Sequence, residues 1–216
     1  MTAADHDRIE DANLPGSLPV LRRQHIAFSK DEEEDLPARI QRVWYINPYG
    51  HEIWPNVNLK VLAALHASTT VIYSIGSLFT SIIPSLILRG IGTAIAKPNI
   101  RHKILVLNAK LDRETGPRSN PMTAKDFVAA VAGACAQADP PGVTGGAGDE
   151  QHLKKFVTHL LYLEGEGVPS VDVKDLERLG IRCIRVAGRR VGEGKTGALR
   201  YNETALGEAL EAIIDS

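Results

Sequence analysis

Between a β-branched run and a proline-led helix lies Gly76-Ser77-Leu78-Phe79-Thr80-Ser81, the segment of this chain best suited to holding an anion. Glycine lets the backbone come close to a ligand or take a positive φ angle. Ser77, Thr80 and Ser81 supply hydroxyls. A helix starting beyond them would add unpaired N–H groups and a partial positive charge. Together these suit a phosphate or diphosphate. An ordinary helix cap needs only one such hydroxyl, so capping and ligand binding both remain open at this point.

A second loop, Asn108 to Thr115, follows the next buried strand. Asn108 at a strand end could orient a substrate hydroxyl or base. Asp112 and Glu114 could meet a cation, although pairing with Arg113 or Lys110 on the surface is the simpler expectation. Gly192-Glu193-Gly194-Lys195-Thr196 resembles half of a Walker A loop, but Arg189 stands where GxxxxGK[ST] requires glycine. A solvated turn is expected there. The seven histidines form no HExxH or His/Cys cluster, which argues against a structural zinc. No G-x-S-x-G elbow is present, and no GxGxxG opens a strand–loop–helix unit, which argues against a nicotinamide enzyme.

The elements that must position these loops alternate. Val43 to Ile46 is a short β-prone run closed by Asn47-Pro48-Tyr49-Gly50. Asn58 should cap a helix carrying Val61, Leu62 and Leu65. Thr70 to Ile75 reads as a strand covered on both faces. Pro84 suits the first turn of a helix whose stripe is Leu86, Ile87, Ile91 and Ile95. Ile104 to Leu107 is the next strand, followed by a helix over 123–138. Strands over 156–163 and 181–186 then alternate with helices over 173–179 and 203–214. Five strands interleaved with helices predict an α/β fold: three layers, a mainly parallel, Rossmann-like sheet with helices on both faces. Ligands of such sheets bind beyond the carboxyl ends of the strands, here the loops 76–83, 108–115, 164–167 and 187–200.

The 216 residues, 44% of them hydrophobic, can bury a full core, and the net charge of −1 points to no particular partner. Scattered Lys and Arg argue against nucleic acid. Residues 1–40, with the acidic run Asp31 to Asp35, read as an extension, and 41–216 as the α/β domain. No charged residue occurs from Val61 to Leu88, but polar residues and Pro84 interrupt that stretch, so a helix end, strand, loop and new helix are expected rather than a membrane span. The loop over 139–148 is expected to be mobile. Cys135 and Cys183 read as small buried hydrophobes in a reducing compartment. With no secretory h-region, a soluble, cytoplasmic protein is expected.

Ser74 to Leu86 resembles the GPGSLYTSIIPNL segment of CofD/YvcK-type proteins, and the strand ending at Asn108 resembles that family's next strand. Tyr45 to Pro48 and His159 to Gly165 look like eukaryotic, fungal members. The family includes 2-phospho-L-lactate transferases of coenzyme F420 synthesis and nucleotide-sugar-binding regulators. The likeness covers roughly residues 40–216. Ser74-Ile75-Gly76 departs from the family's GPG, and nothing in residues 1–40 resembles its glycine-rich loop, so the chain looks like the family's second half.

The resemblance implies a ligand site of Gly76, Ser77, Leu78, Thr80, Ser81 and Asn108, with Asp112 and Glu114 secondary. It implies three functions. One is transfer of a phospholactate-type group from a guanosine diphosphate donor to an alcohol, with Mg2+ and no tightly bound cofactor. The second is nucleotide-sugar binding without chemistry. The third is a half-domain without activity of its own, completed by another chain or by missing sequence. The expected partner is a small phosphate or nucleotide ligand, with neither nucleic acid nor membrane, and an exposed sheet edge would favour a homo-oligomer.

Overall fold

A computed structural model describes residues 15–19, 36–137, 150–191 and 198–216. The acidic run at 31–35, the loop over 139–148 and the Walker-like segment 192–196 lie outside the described residues. In the centre is a parallel four-stranded sheet of β3 (Thr70–Tyr73), β4 (His102–Val106), β5 (His159–Tyr162) and β6 (Arg182–Arg185), in that spatial order. Ile72 lies opposite Ile104, Ile104 opposite His159, and Leu160 opposite Cys183.

The period of two in β4 sends its side chains to two separate cores. Leu105 and Leu107 join Tyr73, Phe127, Val131 and Leu160 beneath α2 (Ile83–Leu86), α3 (Ile91–Ile95) and α4 (Ala124–Gln137). Ile104 and Val106 join Leu161 and Leu163 beneath α6 (Glu203–Ile214), through Leu206, Ala209, Leu210 and Ile213. Helices therefore cover both faces, and the expected three-layer α/β fold is present. The smaller α5 (Val173–Arg178) joins β5 to β6 and buries Leu176 in the first of these cores.

Local signals explain most of the elements. The Asn58 side chain accepts from Lys60 N at 2.9 Å and caps α1 (Leu59–Ala67). The stripe Leu86, Ile87, Ile91 and Ile95 is buried as expected. It is not one helix, because Gly90 adopts φ +92 between α2 and α3. Pro84 does lie in the first turn of α2, as expected, but the helical path starts earlier. A π-helical turn, Leu78–Ile82, precedes α2, so the N-terminus falls inside the hydroxyl-bearing loop.

Two expectations about strands are corrected. The run at 43–46 is no member of the sheet: β1 (Tyr45–Ile46) pairs antiparallel with β2 (Glu52–Ile53) as a separate ribbon. Turn chemistry decides this, since Asn47 Oδ1 accepts from Tyr49 N and His51 N, and Gly50 takes φ +86. The loop expected over 187–200 contains the hairpin of β7 (Gly188–Val191) and β8 (Ala198–Tyr201). Its strand Gly188-Arg189-Arg190-Val191 is exposed throughout and lacks the apolar alternation by which strands are recognised. Buried Tyr201 anchors it, donating its hydroxyl to Leu107 O at 2.7 Å.

The uncharged stretch 61–88 folds as α1, β3, a loop and a new helix, and no described helix is long and apolar enough to cross a membrane. β3, however, is not covered on both faces. Among the described residues it is the edge of the sheet, with Ile72 43% exposed. Cys135 is buried and Cys183 half-buried, both unbridged, and burial pushes the Cys183 thiol up to about 11.

Candidate functional site

The loop after β3 turns tightly, with Gly76 N donating to Ser74 O at 2.9 Å. Ser77 then precedes the helix in extended conformation, and its carbonyl accepts from both Ser81 N and Ile82 N. That wide turn brings Ser81 back over Gly76. A Cβ on Gly76 would fall 2.8 Å from Ser81 Cβ, so glycine is required here by the chain's own close approach and not by a positive φ. The side chain of Leu78, expected from the sequence among the ligand contacts, is fully buried in the core. Thr80 and Ser81 are exposed, and Ser77 is half-buried without capping the helix through its side chain.

The helix N-terminus already holds an anion. Phe79 N and Thr80 N donate to Glu114 Oε2 at 3.0 and 3.2 Å. Asp112 sets this arrangement up. Its Oδ1 accepts from Glu114 N and Thr115 N, and buried Thr115 closes the box by accepting from Asp112 N through Oγ1 at 2.9 Å. Both carboxylates are thus engaged by backbone N–H groups, in place of the expected pairing with Lys110 or Arg113. No described group of three or more His, Cys, Asp or Glu residues could hold a metal ion.

Asn108 Nδ2 donates to Gly76 O at 3.3 Å and ties the loop after β4 to the loop after β3. Leu111 N donates to Gly167 O at 2.9 Å and ties it to the loop after β5. Beyond this lies a cleft of about 400 Å3 lined by Glu164, Arg185, Val186, Ala187 and Gly188, at the carboxyl ends of β5 and β6. Glu164 and Arg185 pair across it at 2.6 Å, and this contact pushes the guanidinium pKa up. The loops 76–83, 108–115 and 164–167 therefore adjoin one another along the carboxyl edge, next to Ala187 and Gly188 at the start of the fourth.

Sequence reasoning missed Glu114 as the helix cap and the Glu164–Arg185 pair. Only the second had a signal, because both charges stand at the ends of buried runs that become neighbouring strands.

A family model described as 2-phospho-L-lactate transferase CofD matches residues 15–187. The chain belongs to the CofD family. The match starts inside the segment read as an extension. Among relatives, the uncharacterized protein YNL011C of Saccharomyces cerevisiae is 36% identical over 183 residues, covering 82% of this chain and 40% of the yeast protein. The crystal structure of protein BH3568 from Bacillus halodurans superposes with a TM-score of 0.52 at 22% identity, covering 72% of this chain and 47% of that one. A second structure of the same protein, at 2.60 Å and described as a member of the UPF0052 family, gives the same TM-score. The CofD-like chain therefore spans less than half the length of each of these relatives.

Proposed function

We propose that this CofD-like protein binds a ligand carrying a phosphate or nucleoside diphosphate along the carboxyl edge of its sheet, the phosphate replacing Glu114 on Phe79 N and Thr80 N. One observation carries the reading. A carboxylate oxygen rests on two successive amides at a helix start, so this position has the geometry and charge to hold an anionic oxygen. Ser77, Thr80 and Ser81 would supply further donors, and Asn108 holds the loop in shape. The cleft at Glu164 and Arg185 would take the rest of the ligand.

Transfer of a phospholactate-type group to an alcohol extends this reading and rests on the family description. Such chemistry is largely positioning and charge neutralisation. Mg2+ usually binds through one or two carboxylates together with ligand phosphates. Asp112 is committed to its cap, so Glu114, once released, is the carboxylate of this loop that would meet the ion. Binding without transfer, and a half-domain needing another chain, are the competing readings. A cytoplasmic location belongs to the same proposal and rests on the two unbridged cysteines.

Calorimetric titration with GDP and with UDP-N-acetylglucosamine, each with and without Mg2+, tests the proposal. Saturable binding of at least one is expected. Without Mg2+, Glu114→Ala should tighten it about tenfold or more, because a competing charge-assisted contact is worth roughly 1.5–3 kcal/mol. A folded protein that binds neither ligand under any of these conditions would remove the proposal.

A further inference from the structure

We propose that His102 and His159 form an acid-sensing pair at the amino end of the sheet, whose protonation loosens α6 from β4 and β5. His102 opens β4 and His159 opens β5. Both are buried, and their ring centroids stand 5.7 Å apart. His102 shares a face with Ile104 and Val106, and His159 with Leu161, so the pair extends the floor of the core that α6 covers. The two rings differ in their contacts. Thr158 Oγ1 donates to Lys103 O at 3.2 Å and accepts from Lys103 N at 2.8 Å, so at 2.9 Å it accepts from His159 Nδ1 as well. Neither ring nitrogen of His102 has a hydrogen-bond partner among the described residues, and both are buried beneath this chain's own atoms. A further polypeptide would reach them only by displacing those atoms.

The surroundings keep both rings neutral. Burial comes first in holding each imidazole below its ordinary value of 6.5, followed by Arg101 and Arg182 for His102, and by His102 and Arg182 for His159. No carboxylate offsets them. β3 lies beside His102 and has no Asp, Glu, Lys or Arg. On α6, Glu208, Glu211 and Asp215 are exposed, as are Lys154 and Lys155 ahead of β5. Lys103 alternates onto the opposite face, and Lys97 bonds to His66 at 3.0 Å. As pH falls, the unfolded chain therefore takes up protons first. Full stability is present above about pH 6.5 and is lost below it. α6 is the element placed to give way. Leu206, Ala209 and Leu210 are only partly buried against the sheet, and Ile213 is its one fully buried residue. Lifting α6 hydrates the charged rings and leaves the larger core intact.

Urea unfolding from pH 7.5 to 5 reads this device. Within the titration window the folding constant should fall about tenfold per pH unit for each ring. His102→Phe replaces two unpartnered nitrogens with carbon in a similar shape, so it should match or exceed wild-type stability at pH 7.5 and lose about tenfold less per pH unit. Hydrogen exchange, corrected for the intrinsic rate at each pH, should show the α6 amides opening at pH 5.5 while those of α4 stay protected. NMR titration of the wild-type histidines needs no variant, and both rings should titrate below 6.5. Titration of both at or above 6.5, a folding constant unchanged between pH 7.5 and 5.5, or a wild-type slope in His102→Phe would overturn the proposal. Equal opening of α6 and α4 would overturn it in favour of a global loss of stability.

Discussion

Leu78→Ala is expected to lower folding stability by about 2–5 kcal/mol while leaving the ligand affinity of the folded protein unchanged. The side chain is fully buried among the residues of the first core, although its neighbours form the hydroxyl-bearing loop. Truncation removes buried methyl groups and leaves a cavity that the surrounding helices can only partly close. Domains of this kind are stable by only about 5–15 kcal/mol, so the loss should be plain in urea denaturation. The backbone N–H groups that face the proposed anion stay in place, so calorimetry on the folded variant should give the wild-type affinity. A loss below about 1 kcal/mol accompanied by weakened binding would return Leu78 to the ligand site.

Ser77→Ala combined with Thr80→Ala should have the opposite profile. Ser77 does not cap the helix through its side chain and Thr80 is exposed, so stability should change little. Each hydroxyl donating to a phosphate oxygen is worth roughly 1.5–3 kcal/mol, so the pair should cost a hundredfold or more in affinity for GDP or a nucleotide sugar. Unchanged affinity would take both hydroxyls out of the site. The contrast with Leu78→Ala separates the two sides of one short helical turn, one serving the core and the other the ligand.

The parallel sheet was legible because its strands are continuous apolar runs. Thr70 to Ile75 and 156–163 contain β3 and β5, Ile104 to Leu107 overlaps β4, which starts two residues earlier at His102, and the helices between them have caps or stripes that can be read locally. Of the first hairpin only β1 and its turn were legible, and of the second neither strand, for different physical reasons. β1 is ended by the Asn47 turn after two residues, and β7 has the composition of a solvated loop. Coverage of β3 was misjudged because an apolar run records what a strand can bury and cannot say whether a neighbour stands beside it. Among the candidate site residues, local chemistry placed Gly76, Ser77, Thr80 and Ser81 on one loop, and Asn108 joins them through its bond to Gly76. Glu114 was noticed as a carboxylate, but its contact with Phe79 and Thr80 spans more than thirty positions of sequence and depends on the packing of β3 against β4.

The central claim is that Phe79 N and Thr80 N form an anion site shared between Glu114 and a phosphate. Amide NMR during a GDP titration, without and then with Mg2+, reads those two groups directly. The account predicts saturable shifts of the Phe79 and Thr80 resonances together with movement of the Glu114 side chain signals. GDP bound while both amides keep their ligand-free positions would contradict it.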